Sequence, residues 1–264
     1  MKWFWMSIGI YIDNSVDMKT NLNIKYKTDE IERFFSKNRI AWDQFYESEK
    51  VIISALKLSK KDQVLDIGCG CGGLGLALKN KFNVQHYTGI EINTQAAETA
   101  KIYNPSSTIL NYDFLEVSNT SLKNKHFDVV FSLSCFDWNI QFDLMLKAAW
   151  EKVADGGKLV ATFRLVNDKS VYDINESFQF INYDGKLQGE KAAYVVINAK
   201  ELIEKLLTLL PSEIKAFGYF GSPSTTAVTP YKEICFAAFS ISRQNSNESK
   251  ETHFNLELPS SINI

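Results

Sequence analysis

One stretch, Val64 to Gly73 (VLDIGCGCGG), limits the fold of this chain more than any other. A short apolar run leads into a loop with glycines at 68, 70, 72 and 73, and the helical run LGLALKN follows at once. A strand, a glycine loop and a helix in this order let backbone N–H groups and a helix N-terminus approach a ligand closely. Asp66 stands two residues before the first glycine, so the ligand end of the loop also carries a carboxylate.

The rest of the chain extends that unit. From Gln63 onward, short β-branched or apolar runs alternate with helical stretches, the pattern of βαβ units around a parallel sheet. Strands are predicted at 63–67, 86–91, 107–111, 127–133 and 157–164, and helices at about 72–80, 93–102, 140–154 and 199–209. Asn198 and Glu201 have the spacing of a capping box at the last helix. Two further runs, Glu213 to Phe220 and Glu233 to Ser242, are joined by a loop with no room for a crossover helix, so they should form an antiparallel hairpin. Ahead of the sheet, Thr28 to Asn38 and Ile40 to Leu58 read as two helices of a cap. The expected architecture is α/β and three-layered, with a mostly parallel sheet, a C-terminal antiparallel hairpin and an N-terminal helical cap.

The glycine spacing leaves the ligand open. Gly68, Gly70 and Gly73 also satisfy the GxGxxG dinucleotide fingerprint, and Glu91 lies at a suitable distance to hold ribose hydroxyls, as in an NAD(P)-dependent oxidoreductase. Asp66 opposes that reading, because a carboxylate there would repel a pyrophosphate. It suits a ligand with an ammonium group and no phosphate.

With Asp66, Gly68, Gly70 and Gly72 in these positions, the chain resembles the class I, Rossmann-like S-adenosylmethionine-dependent methyltransferases over about 63–242. The resemblance continues at YTGIEIN, where Glu91 matches the acid that binds the adenosyl ribose, and at NYDF, where Asp113 matches the residue that receives the adenine amino group. It also takes in HFDVVFSLS and VADGGKLVATF. It implies S-adenosylmethionine as cofactor, held by Asp66, Gly68, Cys69, Gly70, Glu91, Ile92, Asp113, Phe114, Ser132 and Ser134. Trp42, on the segment before the first strand, would close the site or belong to the core. A non-catalytic methyltransferase-fold binding subunit is the remaining alternative.

Strand order places the chemistry beyond the fourth, fifth and sixth strands. The loop Ser134-Cys135-Phe136-Asp137-Trp138-Asn139 lacks the proline pair of nucleic-acid amino-methylating enzymes and the Pro-Cys of cytosine-C5 enzymes. Asp137 is either the base that deprotonates a hydroxyl acceptor or the cap of the helix near 140. Trp138, Asn139, Arg164, Tyr172 and Tyr183 are the expected acceptor contacts. They mix aromatic and hydrogen-bonding groups, as a small polar or glycan-linked acceptor requires. The insertion at 165–198 and the hairpin resemble methyltransferases of bacterial surface-polysaccharide loci, which implies a capsule or lipopolysaccharide precursor.

Composition bounds the partners. Lys plus Arg total 29 against 31 acids, a formal charge of -2, so no basic excess attracts nucleic acid. Only Arg33, Arg39, Arg164 and Arg243 are arginines, which singles out Arg39 and Arg164. Cys69, Cys71, Cys135 and Cys235 form no CxxC pair, which fits a reducing cytoplasm and no structural metal. The loops gather no carboxylate cluster for Mg²⁺. The apolar start MKWFWMSIGIYI is too short to span a bilayer and lacks a small-residue cleavage site, and Met18 is an alternative start. The domain reading is therefore a 1–58 extension and cap, a 59–243 cofactor-binding domain with the 165–198 substrate insertion, and a 244–264 mobile tail.

Overall fold

A computed structural model describes residue 25 and residues 27–182, 185–245 and 251–264. Among these, a nine-stranded sheet forms the middle layer. Its parallel half comprises β1 (Gln63–Ile67), β2 (His86–Ile90), β3 (Thr108–Leu110), β4 (Phe127–Ser132) and β5 (Val153–Val166). These lie in the order β3-β2-β1-β4-β5, with helices α3 (Gly73–Phe82), α4 (Thr94–Tyr103), α5 (Phe114–Ser118) and α6 (Phe142–Trp150) in the connections. The chain builds outward from β1 on one side and then from β4 on the other. The crevice between the ends of β1 and β4 is the topological switch point where such sheets bind ligands.

Beyond β5, β9 (Glu213–Gly221) and β11 (Ile234–Ser242) form the expected antiparallel hairpin, with β11 against β5. Several short elements were not anticipated, α5 among them. β12 (His253–Glu257) pairs parallel with β9 at the sheet edge, inside the segment expected to be mobile. In the insertion, β6 (Phe178–Ile181) and β7 (Glu190–Ala193) join β10 (Ala227–Val228) in a separate three-stranded sheet. β8 (Ile197–Asn198) lies beside the end of β5 and leads into α7 (Ala199–Leu207).

Burial follows the periodicities. In α6, Phe142, Met145, Leu146, Ala149 and Trp150 are buried on one face, the i, i+3, i+4, i+7, i+8 spacing of an amphipathic helix. Full burial of each larger side chain contributes about 1.5–3 kcal/mol. β5 begins at Val153 rather than 157, because Gly156 and Gly157 form an irregularity within the strand rather than its start. Gly156 has φ +72°, and a Cβ on Gly157 would meet the Asp128 carbonyl at 2.9 Å.

The N-terminal cap departs from two continuous helices. α1 covers Glu30–Phe35, a 3-10 turn covers Trp42–Gln44, and α2 covers Glu47–Ala55. The second predicted helix breaks at Phe45 and Tyr46, whose ψ of 151° is extended. Glu49 stabilises the restart by accepting the Tyr46 N–H at 2.9 Å. At α7, Asn198 caps the helix by accepting the Glu201 N–H at 3.0 Å. The reciprocal half of the predicted capping box gives way to other bonds, since the Glu201 carboxylate accepts the Ser170 and Tyr172 hydroxyls.

Candidate active site

The carboxyl ends of β1, β2, β4 and β5 open into one cavity of about 960 Å³, roofed by the cap and by β6. At one end, the loop after β1 turns back onto β2, with the N–H groups of Gly68 and Cys69 both donating to the Ile90 carbonyl. Gly70 has φ +54° and a Cβ there would meet nothing within 4 Å, so the loop leaves open space above it. Gly68 faces the loop after β4, where a Cβ would lie 2.7 Å from the Cys135 sulfur.

Two carboxylates define this end. Asp66 is buried and accepts the Tyr87 hydroxyl at 2.6 Å. Burial pushes its pKa up to about 7, against the opposing pull of Tyr87 and of Arg39. Glu91 is buried and accepts the Gly70 N–H at 2.8 Å and the Asn93 N–H at 2.7 Å. Burial raises its pKa, and those backbone donors offset part of the rise. The loop and both acids are thus locked before any ligand arrives, as preorganised recognition requires. Ile92 and Phe114 line the same end. An open glycine cradle beside two buried carboxylates, with no basic side chain on the loop, fits the ammonium and ribose hydroxyls of S-adenosylmethionine.

At the other end, Asp137 and Trp138 lie on a 3-10 turn, Phe136–Trp138. Arg164, near the end of β5, gives Nη2 to Asp137 Oδ2 at 3.2 Å and Nη1 to the Asp137 carbonyl at 2.7 Å. Its guanidinium carbon lies 3.6 Å from the Tyr194 ring centroid. Asp137 Oδ1 and Trp138 Nε1 are buried without a hydrogen-bond partner. Burial raises the Asp137 pKa and Arg164 opposes the rise. Ser134, between the two ends, is held in a left-handed conformation at φ +50°, with its N–H donated to Thr162 Oγ1 at 2.6 Å.

Several sequence expectations need correction. Asp137 is not the helix cap: the N-cap of α6 is Gln141, whose N–H is accepted by Asn139 Oδ1. Asp113 is the N-cap of α5, accepting the Leu115 N–H at 2.9 Å, and it does not line the cavity. Ser132 is fully buried and also lies off the cavity wall. Trp42 takes the core alternative, packing against the cluster around Phe45 and on Phe82, with Lys81 over its ring. Tyr172 stacks on Phe142 and bonds Glu201, away from the cavity. Tyr183 lies outside the described residues. Cys69 does line the cavity, but burial drives its thiol well above the ordinary range, and Cys71 and Cys135 are pushed to about 12, so none is a ready nucleophile.

Other residues complete the cavity wall. Arg39, Phe45 and Tyr46 close the cavity from the cap. Arg39 binds the buried Glu49 through both terminal nitrogens, at 3.0 and 2.9 Å. Its scarcity in a lysine-rich chain was its only signal, because it sits in a loop that hydrophobic periodicity does not describe. Tyr194 comes from the insertion and touches Arg164. Gln179 and Phe180 reach the cavity from the small sheet, and Thr226 from the loop just before β10.

Comparison with known proteins places this geometry. Residues 65–159 match the family described as a methyltransferase domain. The chain is 24% identical over 153 residues to malonyl-acyl-carrier-protein O-methyltransferase 1 of Ilyobacter polytropus, covering 56% of each chain. It spans about half the length of the curated relatives it matches, 45% and 56%. Among solved structures, phosphoethanolamine N-methyltransferase 2 of Haemonchus contortus, in complex with S-adenosyl-L-methionine, aligns with TM-score 0.54 and 14% identity over 83% of this chain and 59% of that chain. A putative methyltransferase from Haloferax volcanii, in complex with the Trm112 activator, aligns with TM-score 0.52 and 13% identity over 83% of this chain and 99% of that one. At these identities the structural likeness is one of fold.

Proposed function

We propose that this chain, a class I methyltransferase by fold with the methyltransferase-domain family match at residues 65–159, transfers a methyl group from S-adenosylmethionine to a hydroxyl of a small polar or sugar-linked acceptor. The observation that carries the reading is one cavity with the Asp66 and Glu91 cradle at one end and Asp137, its Oδ1 buried and unpartnered, in the wall of the other. Asp66 would hold the cofactor's ammonium group, Glu91 its ribose hydroxyls, and Phe114 would lie beside its adenine. The cofactor, when bound, supplies a methyl carbon made electrophilic by a positively charged sulfur.

The chain's own residues account for the remaining steps. Trp138 and Asn139 position the acceptor beside Asp137. Asp137 Oδ1 takes the hydroxyl proton as the oxygen gains its methyl group, while Oδ2 stays fixed by Arg164. Burial suits this role, because it raises the proton affinity of the carboxylate above that of a solvated one. The cap and the small sheet exclude water from the transfer. Four unbridged thiols support a reducing compartment such as the cytoplasm.

The test is turnover. Purified protein is incubated with S-adenosylmethionine and a panel of sugar nucleotides, polysaccharide precursors, polyols and aryl alcohols, and release of S-adenosylhomocysteine is measured. Acceptor-dependent release supports the proposal. Tight S-adenosylhomocysteine binding with no release across the panel would favour a binding subunit, and NAD(P)H binding in its place would restore the oxidoreductase.

A further inference from the structure

Charge at the acceptor end restricts what can enter. Among the described residues lining the cavity, Arg39 and Arg164 are the only basic side chains, and Glu30, Asp66, Glu91 and Asp137 share its walls. Arg39 is taken by Glu49 through two bonds and lies 4.7 Å from the Phe45 ring centroid and 5.1 Å from that of Tyr46. Arg164 is taken by the Asp137 carboxylate and carbonyl, with the Val195 carbonyl at 3.4 Å, and the rings of Tyr194 and Trp138 lie against it. Asp66 and Glu91 belong to the cofactor end, so an anion arriving at the acceptor end finds Arg164 already neutralised by the Asp137 carboxylate and Arg39 by that of Glu49.

The two unpartnered atoms point the same way. Asp137 Oδ1 accepts and Trp138 Nε1 donates, on adjacent residues of one turn. Both atoms are closed to solvent here, so a hydroxyl reaches them only by displacing their neighbours; once there it donates to the first and accepts from the second. An ionised carboxylate can only accept and would leave Oδ1 facing a like charge, and a phosphate, even where it keeps an O–H to donate, brings its negative charge against the same carboxylate.

We infer that this cavity selects acceptors whose reacting end is an uncharged hydroxyl and rejects those with a phosphate or carboxylate beside it. The inference rests on the reading of the cavity as a methyl-transfer site. It sets this chain apart from relatives named for malonyl and phosphoethanolamine substrates, both of which carry an acidic group.

The experiment needs no known acceptor. Inorganic phosphate and, separately, malonate are titrated into protein saturated with S-adenosylhomocysteine, with binding read by calorimetry and thermal shift. The parent should show no saturable binding of either. Asp137→Asn keeps the side chain's shape while releasing the charge of Arg164, and should gain saturable phosphate binding that the parent lacks. The gain should vanish in Asp137→Asn combined with Arg164→Met. Saturable phosphate binding by the parent, abolished by Arg164→Met, would overturn the inference. So would an Asp137→Asn protein that still binds S-adenosylhomocysteine and gains nothing. If that variant does not fold, the parent titration decides. A parent that fails to bind S-adenosylhomocysteine sinks the proposed function itself, a result distinct from any of these.

Discussion

Tyr87 on β2 donates its hydroxyl to Asp66 on β1 at 2.6 Å, and both side chains are buried. The bond partly offsets the burial that carries the Asp66 pKa from 3.8 to about 7. Between those two values the folded chain holds a proton that the unfolded chain has released. The stability contributed by Asp66 is therefore complete below the unfolded value and is lost as pH rises through about 7. Cofactor affinity should run the opposite way, because an ammonium group needs the ionised carboxylate. S-adenosylhomocysteine binding is expected to strengthen about tenfold from pH 6 to pH 8. Tyr87→Phe should move that midpoint upward, and calorimetry across the range checks both.

Asp66→Ala and Glu91→Ala should each weaken cofactor binding by about 1–3 kcal/mol, the usual cost of orphaning a hydrogen-bonded partner. Glu91→Ala should also lower stability, since the Gly70 and Asn93 N–H groups lose their acceptor. Calorimetry and urea unfolding on the same preparations separate the two effects. Unchanged affinity in both variants would overturn the cofactor assignment.

Asp137→Asn should lower kcat by roughly 10² or more with cofactor affinity retained, if Asp137 is the base. Stability should fall as well, by about 1–3 kcal/mol, because Arg164 loses a charged partner in a buried setting. Turnover within threefold of the parent would leave proximity alone to drive the transfer.

Gly73→Ala and Gly70→Ala should differ in kind. A Cβ on Gly73 would come within 1.9 Å of the Arg39 carbonyl, so the cap must shift. Thermal unfolding should show a loss of about 1–3 kcal/mol. At Gly70 a Cβ meets nothing, and the cost is the left-handed backbone alone, about 1 kcal/mol. Its larger effect should be on cofactor affinity, because the new methyl projects into the cradle.

The parallel half of the sheet was readable because β1, β2 and β4 carry their own signals: buried apolar runs bounded by glycine or polar residues. Asp66, Glu91 and the glycine loop were readable because their spacing is local. Trp42, Asp113, Ser132 and Tyr172, which do not line the cavity, were harder to place for a different reason. Each has a side chain with two plausible fates, and long-range packing chose between them. Trp42 found Phe82 and Lys81 on α3, and Tyr172 found Phe142 and Glu201. β12 is a pairing decided by the exposed edge of β9, which leaves no trace within residues 253–257 themselves.

The pleat of β5 has a consequence for how this chain can change over time. Ala161, Phe163 and Leu165 pack into the larger core, while Thr162 and Arg164 alternate with them and hold Ser134 and Asp137. Losing one residue inside the strand would swap the two sets, presenting Phe163 where Arg164 stood and driving a guanidinium among phenylalanines. Beyond Val166 the chain leaves the strand, and there length can vary without disturbing that alternation. Lineages that acquire new acceptors are thus expected to differ by loop insertions after position 166 and by substitutions at 162 and 164, and hardly ever by a change in strand length.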